Sequence, residues 1–356
     1  MITFEDACKL AVSLDSGYDY YMEHEKAFVF GWAANVETVG PQPLFIVKET
    51  GESFLMVEAI GRGFEEGELV REGRIPDEFL PDKQGLRDAV YGAAVGDALG
   101  VPFEFKQRDT FECSDMVGNG TYHMPAGTFS DDTSMMLATC DSLREKGARI
   151  DVRDMRKRFV DWYRKGAYTA DGACFDIGNA TAAALDSGKG QSGERDNGNG
   201  SLMRIAPLAY THADDDEIRA VSAITHAHPI STEACVCFVT LLRNIMGGNT
   251  LQDAIHYSKP DMSEFDFLDT VVELPREEIR SGGFVLDTLG AAIWCFANTE
   301  SYADCVLAAV NLGGDTDTTA CVAGALAGAH YGYGSIPKNW LETLRGKDII
   351  DSCLFA

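Results

Sequence analysis

Twenty residues near the end of the chain, GGDTDTTACVAGALAGAHYG at positions 313–332, limit what it can fold into more than any other stretch. They predict a helix of small side chains, entered through a glycine turn that carries two aspartates two apart and a threonine. Asp315, Asp317 and Thr318 are therefore candidate hard-oxygen metal ligands. A second cluster, Ser130-Asp131-Asp132-Thr133, lies far upstream in a similar setting, after an irregular Gly-rich segment and at the opening of a helix. Capping alone can explain either cluster, because Asp and Ser oxygens accept the orphan N–H groups of a helix start and their charge suits its positive end. Two such clusters together point to one shared metal site. Oxygen donors without histidine or cysteine suit magnesium or manganese rather than zinc, and calcium would ask for a longer carboxylate-rich loop.

Upstream, YGAAVGDALG at 91–100 is a helix with glycines and alanines at near i, i+4 spacing, which lets a neighbouring helix approach closely. Directly after it, Glu104 stands between Phe103 and Phe105, where burial would raise its pKa; the roles of ligand, base and solvated loop charge are all open to it. Three further segments read as walls of a site. In DNGNGSLMR, Asn197, Gly198, Asn199, Gly200, Ser201 and Met203 precede an apolar helical stretch, where free N–H groups can hold a phosphate and Arg204 can add a charge-assisted contact. The alternative is an ordinary glycine loop with an Asn/Ser cap. His226-Ala227-His228-Pro229 ends one helix before another begins near Ser231, and capping accounts for His226 more readily than for His228. Phe284, just ahead of a helix, either stacks on a base or fills the core.

In chain order, GAAVGDALGVPFEF, GTFSDDTSMML, GNGSLMRIAPLA, HAHP, GFVLDTLGAAIW and NLGGDTDTTACVAGALAGAHYG resemble the ADP-ribosylglycohydrolase family, which includes the dinitrogenase reductase-activating glycohydrolases. The resemblance runs from about Gly85 to the C-terminus. It implies a mainly α fold, with a compact all-helical domain and two magnesium ions, or manganese, at the floor of a cleft that binds ADP-ribose attached to a protein side chain. By position, Ser130, Asp131 and Asp132 match one group of metal ligands, and Asp315, Asp317 and Thr318 match the other. Glu104, Asp131, Asp132 and Asp317 match the catalytic carboxylates. Gly198, Asn199, Gly200, Ser201 and Met203 match the segment that wraps the diphosphate, while Asn197, His228, Phe284, Gly313 and Gly314 complete the substrate site. Phe284 stands where relatives often carry tyrosine. The implied activity is metal-dependent removal of ADP-ribose from a modified side chain, with arginine as the expected linkage. A serine or O-acetyl-ADP-ribose linkage is the alternative, and so is noncatalytic binding, since the family includes lens crystallins.

Composition sets the outer bounds. A chain of 356 residues, 45% of them apolar, buries a sizeable core, and its net charge of −26 argues against a nucleic-acid or anionic-membrane partner. Ten cysteines without a CxxC pair read as reduced thiols in a cytoplasmic protein. The start, MITFEDACKL, has no basic, apolar targeting pattern, and no apolar run reaches membrane length.

Residues 1–82 lie outside the resemblance and read as a small acidic α+β domain ahead of the domain at 83–356. The expected elements are a helix from Thr3 to about Ser13, a strand at 28–33, a hairpin pairing 43–47 with 53–57, and a linker at 73–81 marked by two prolines. With 17 acidic and 6 basic residues, this segment carries −11, more than its share by length. Tyr18, Tyr20, Tyr21, Phe28 and Trp32 either anchor a basic protein partner or form the segment's own core; for Phe28 and Trp32 the core is expected. The segment resembles small bacterial immunity-type domains. A de-ADP-ribosylating domain joined to it suggests an immunity protein, in which the helical domain reverses the modification and residues 1–82 block an ADP-ribosyltransferase toxin. Further helices are expected at 151–164, 215–225, 232–245, 302–310 and 338–345, with 262–281 as a surface insertion near the cleft.

Overall fold

Phe28 and Phe30 face one side of a strand and Val29 the other, and this period of two organises the N-terminal part of the chain. The structure, a computed structural model, describes residues 2–14, 18, 20–31, 42–75 and 83–355. The chain divides into two units, Met1–Asp82 and Lys83–Ala356.

In the first unit, helix α1 (Phe4–Leu14) is opened by Thr3, whose hydroxyl accepts from the Asp6 amide at 3.1 Å. Strands β1 (Tyr20–His24), β2 (Ala27–Gly31), β3 (Leu44–Val47), β4 (Ser53–Leu55) and β5 (Leu69–Arg74) form an antiparallel sheet in the order β4-β3-β2-β1-β5, with helix α2 (Met56–Arg62) following β4. One face buries Tyr21, Phe28, Phe30 and Ile46 against Ala7, Cys8 and Ala11 of α1; the other buries Val29, Phe45 and Phe54 against Ala59 of α2.

Several expectations shift here. The hairpin closes in register, Phe45 opposite Phe54, but its second strand ends at Leu55 because the chain turns into α2. Tyr18, Tyr21 and Phe28 are core residues, not interface anchors, while Trp32 lies outside the described residues. The linker cannot begin at Gly73, because Gly73 and Arg74 pair with Tyr21 and Tyr20 and Ile75 is buried behind them; positions 76–81 lie outside the described residues.

The second unit is helical. Its α-helices are α3 (Lys83–Gly100), α4 (Asp131–Glu145), α5 (Val152–Lys165), α6 (Asn179–Ser187), α7 (Asp215–Ser222), α8 (Pro229–Met246), α9 (Leu251–Ser258), α10 (Val285–Ala297), α11 (Tyr302–Val310), α12 (Thr316–Tyr331), α13 (Lys338–Thr343) and α14 (Lys347–Cys353). Helix α5 begins behind the cap of Asp151, which accepts from Arg153 and Asp154, and α7 behind a capping box of Asp214 and Glu217. Among the described residues, no helix is long and apolar enough to cross a membrane.

The small-residue helices α3 and α12 pack backbone to backbone. A Cβ on Gly92, Gly96 or Gly100 would fall on the backbone of Gly324, Ala320 or Asp317, far inside contact distance. The stretch at 262–281 is not a surface insertion: its first two 3-10 turns bury Phe265, Leu268 and Val271 in the main core, and Ile279, just after the third, is buried there too. Arg108 ties this stretch down, its guanidinium donating to the carbonyls of Arg276, Ile279 and Leu312.

Candidate active site

Helix α4 starts at Ser130, whose hydroxyl accepts from the Asp132 amide at 3.3 Å and donates to the Asp132 carboxylate at 2.8 Å. Capping is thus present, and it aims the following carboxylates. The cap itself is held by Asp97 of α3, which accepts from the amides of Ser130 (2.9 Å) and Thr133 (3.0 Å) and from the Thr133 hydroxyl (2.6 Å). With its oxygens occupied in this way, Asp97 orients the Ser130–Asp132 turn.

The second candidate ligand group follows Gly313 and Gly314, both at positive φ, +72° and +77°. Only glycine fits there, since a Cβ on Gly313 would press on Arg108 and one on Gly314 on the Ser281 carbonyl. The turn is fixed by bonds from Gly314 N–H to Lys106 O (2.9 Å) and from Asp315 N–H to Ser281 O (2.8 Å), so the buried 262–281 stretch sets the position of Asp315. Asp317 accepts from the Thr318 amide at 2.9 Å, and the Thr318 hydroxyl reaches Asp132 at 3.4 Å, joining the two clusters.

Together the elements gather seven carboxylates, those of Asp97, Glu104, Asp131, Asp132, Asp176, Asp315 and Asp317. Oxygens of Asp97, Asp132 and Asp317 lie within 4.8 Å of one another, and so do oxygens of Glu104, Asp176 and Asp317, so Asp317 is common to two adjacent groups. Burial foremost, then the negative charge of Asp176 and the weaker effect of Asp315, pushes Glu104 up to about 9. Burial likewise raises Asp131, Asp132 and Asp317 well above the usual carboxylate range, with neighbouring carboxylates adding to it.

The donor set fits a metal ion. Glu104 Oε2, Asp132 Oδ1, Asp315 Oδ1 and Asp317 Oδ2 are buried acceptors without a hydrogen-bond partner among the described residues. Buried carboxylates are stable when hydrogen-bonded, paired or coordinating a cation, and an all-oxygen set suits a hard divalent ion.

Tyr122 and Asp176 belong to this site without a signal in the sequence. The Tyr122 hydroxyl donates to Asp176 and contacts Glu104, its ring packs against Phe175 at 5.2 Å, and Asp176 sits at φ +59°. The neighbouring Thr121 hydroxyl donates to the Glu104 carbonyl at 2.7 Å, so one turn (Gly120–Tyr122) holds Glu104 from both backbone and side chain.

The DNGNGSLMR loop reaches the same site. Asn199 donates to Asp315 and to the Thr288 hydroxyl, both at 2.9 Å; its amide donates to Gly283 O at 3.1 Å, and Gly198 bridges to Phe284. Gly200 must be glycine because a Cβ would meet His226 at 2.7 Å. Asn197 and Gly198 are half-buried; Ser201 and Met203 turn into the core, Ser201 accepting from Ser222 at 2.9 Å, so they shape the loop from behind.

No helix N-terminus backs this loop. Two short 3-10 turns (Leu202–Arg204 and Ala206–Tyr210) follow it, with Pro207, which has no N–H, opening the second. Arg204 offers no phosphate contact: it is fully buried, donates to Val221 O and to the Thr225 hydroxyl at 2.9 Å, and lies over the Phe159 ring. His226 is buried and pushed down to about 4 by burial and then by Arg204, a structural histidine. His228 caps α8, its ring nitrogen accepting from Ile230 N–H at 3.2 Å, and half-buried Phe284 is the residue before α10.

Against known proteins, the model of the ADP-ribosylglycohydrolase family matches residues 81–355. The chain is 36% identical to ADP-ribosylarginine hydrolase Tri1 of Serratia proteamaculans, covering 76% of this chain and 78% of that protein. It is 30% identical to the ADP-ribosyl-[dinitrogen reductase] glycohydrolase of Rhodospirillum rubrum, covering 72% and 88%. A solved structure described as an ADP-ribosylglycohydrolase-related protein complex superposes with a TM-score of 0.65 at 34% identity, over 76% of this chain and 95% of that one.

Proposed function

Since the chain belongs to the ADP-ribosylglycohydrolase family, and is an ADP-ribosylglycohydrolase, we propose that it cleaves the N-glycosidic bond between ADP-ribose and a modified arginine of a protein, using two magnesium ions or manganese. The observation that carries this reading is the pair of adjacent carboxylate groups sharing Asp317. Two relatives at 36% identity are named ADP-ribosylarginine hydrolases, which supports the linkage.

Ser130, Asp131, Asp132, Asp315, Asp317 and Thr318 would hold the ions, with Glu104 and Asp176 at the edge of the set. When bound, divalent ions there polarise the ribose hydroxyls and make a water nucleophilic at neutral pH. Hydrolysis breaks the bond from C1″ to the guanidinium nitrogen and forms a bond from C1″ to the water oxygen, while the water proton ends on the departing nitrogen. Glu104 carries that proton, and Tyr122 and Asp176 hold its carboxyl in place. The Asn199 amide fixes the loop that wraps the diphosphate, with Gly198 and Gly200 letting the backbone approach it closely.

The finer role is that of an immunity protein. The first unit lies outside the family match but for its last two residues, carries −11, and exposes Leu55, Met56, Val57 and Ile60 at 45%, 39%, 64% and 73%. An apolar patch on an acidic unit suits docking on a basic protein surface, here an ADP-ribosyltransferase toxin.

The test is to incubate the native chain with a protein ADP-ribosylated on arginine, with and without chelator, beside a serine-linked control. Metal-dependent release from arginine is expected. Release from serine alone would overturn the arginine linkage.

A further inference from the structure

Phe105 follows Glu104 directly and contributes nothing to the core. Its φ is +63°, a left-handed conformation in which a bulky side chain is a steric outlier, and it is 72% exposed. The conformation is imposed from both sides: Phe105 N–H donates to Gly314 O at 2.7 Å, and Gly314 N–H returns to Lys106 O at 2.9 Å. The glycine turn that presents Asp315 therefore presents Phe105 as well. Its neighbours behave differently. Phe103 is buried and stacks on Phe111 at 4.8 Å with Lys106 over its ring, and Glu104 is buried among the carboxylates. The Phe105 ring has no aromatic or cationic partner among the described residues. Glycine or asparagine would occupy this backbone with less strain, and a polar side chain would suit its exposure better. An aromatic face kept in water, one residue from Glu104 and one hydrogen bond from the Asp315 turn, is a strained feature of the kind that collects at ligand-binding positions.

From this geometry we infer that Phe105 is the specificity platform for the leaving group: its ring stacks on the guanidinium of the modified arginine as the substrate protein docks. This rests on the arginine reading above. The guanidinium keeps its positive charge when ADP-ribosylated, and a planar cation is attracted to an aromatic face, all the more beside a dense group of carboxylates. The ADP-ribose moiety lies on the other side of the scissile bond, against Asn199 and the metal ligands, and does not need this ring.

The experiment compares the native chain with Phe105→Gly, Phe105→Ala, Phe105→Tyr and Phe105→Trp. It measures kcat/KM on a protein ADP-ribosylated on arginine, the affinity for free ADP-ribose with magnesium present, and the thermal midpoint. Phe105→Gly and Phe105→Ala are expected to lose about tenfold in kcat/KM with unchanged ADP-ribose affinity. The aromatic variants should stay within about twofold of native. Phe105→Gly should melt no lower than native, because glycine accepts this φ freely. Equal kcat/KM for Phe105→Gly and the native chain would overturn the platform while leaving the arginine activity intact, and a parallel loss of ADP-ribose affinity would show that the ring merely supports the site. No release from arginine by the native chain would overturn both readings.

Discussion

Glu104, Asp176 and Tyr122 form a small proton-bearing group beside the carboxylates that would hold metal, and the hydroxyl is the part most open to test. Tyr122→Phe keeps the ring against Phe175 and removes only the hydroxyl, with its bond to Asp176 and its contact with Glu104. We expect kcat to fall about tenfold with KM nearly unchanged, as for loss of one group that orients an acid–base residue. A change in KM alone would remove Tyr122 from the chemistry. Asp131→Ala or Asp317→Ala should eliminate turnover and weaken binding of Mg²⁺ by two orders of magnitude or more, read by calorimetry; near-native activity in either would refute a two-metal site. Glu104 was visible in the sequence as a charge between two phenylalanines. No local pattern marks Asp97, because its task is to accept bonds from a turn 33 residues away. Asp176 lies in an irregular segment at positive φ, where no periodicity marks it.

At the scale of elements, the α3–α12 crossing determines whether the two ligand groups meet. Gly96 faces the Ala320 backbone and Gly100 faces Asp317, so backbone contact on α3 places α12 and Asp317 relative to Asp97. Gly96→Ala has no flexible side chain to displace and must separate the helices. Overpacking of this kind costs about 1–3 kcal/mol, and we expect a lower thermal midpoint together with weaker Mg²⁺ binding, because Asp317 moves with its helix. An alanine variant with native metal affinity would show that the site tolerates the shift. The small-residue pattern of each helix was legible, but which helix packs on which was not. The DNGNGSLMR loop shows the opposite: its apolar continuation reads as helix, whereas Pro207 and the buried Arg204 make it two 3-10 turns anchored to the α7–α8 region.

For the whole molecule, the carboxylate group couples metal, pH and stability. Glu104, at about 9 in the folded chain against 4.5 for an ordinary glutamate, holds a proton that the unfolded chain releases. Stability from this source is present below about pH 4.5 and is lost as pH rises toward 9. In chelator, the melting temperature should therefore fall between pH 5.5 and pH 8.5. A divalent cation that binds the deprotonated carboxylates would reverse the trend, so the rise in melting temperature on adding Mg²⁺ should be larger at pH 8.5 than at pH 5.5. An equal rise at both would separate metal binding from these groups. If the first unit docks on an ADP-ribosyltransferase toxin as proposed, deleting residues 1–82 should leave hydrolysis by the second unit intact and abolish binding to such a toxin; equal binding by the shortened chain would end that proposal.

The helical character of the main unit is legible in the sequence, as are strands expected at 28–33 and 43–47 and observed at Ala27–Gly31 and Leu44–Val47, and so are the candidate ligand motifs, because each is a local pattern of spacing, capping and glycine turns. It is long-range packing that brings Asp97 to the Ser130 turn and Asp176 and Tyr122 to Glu104, makes 262–281 core and leaves Phe105 in water. Those outcomes depend on which surfaces exclude water from which carboxylate, and that follows from packing between residues up to 204 positions apart, which no local pattern encodes.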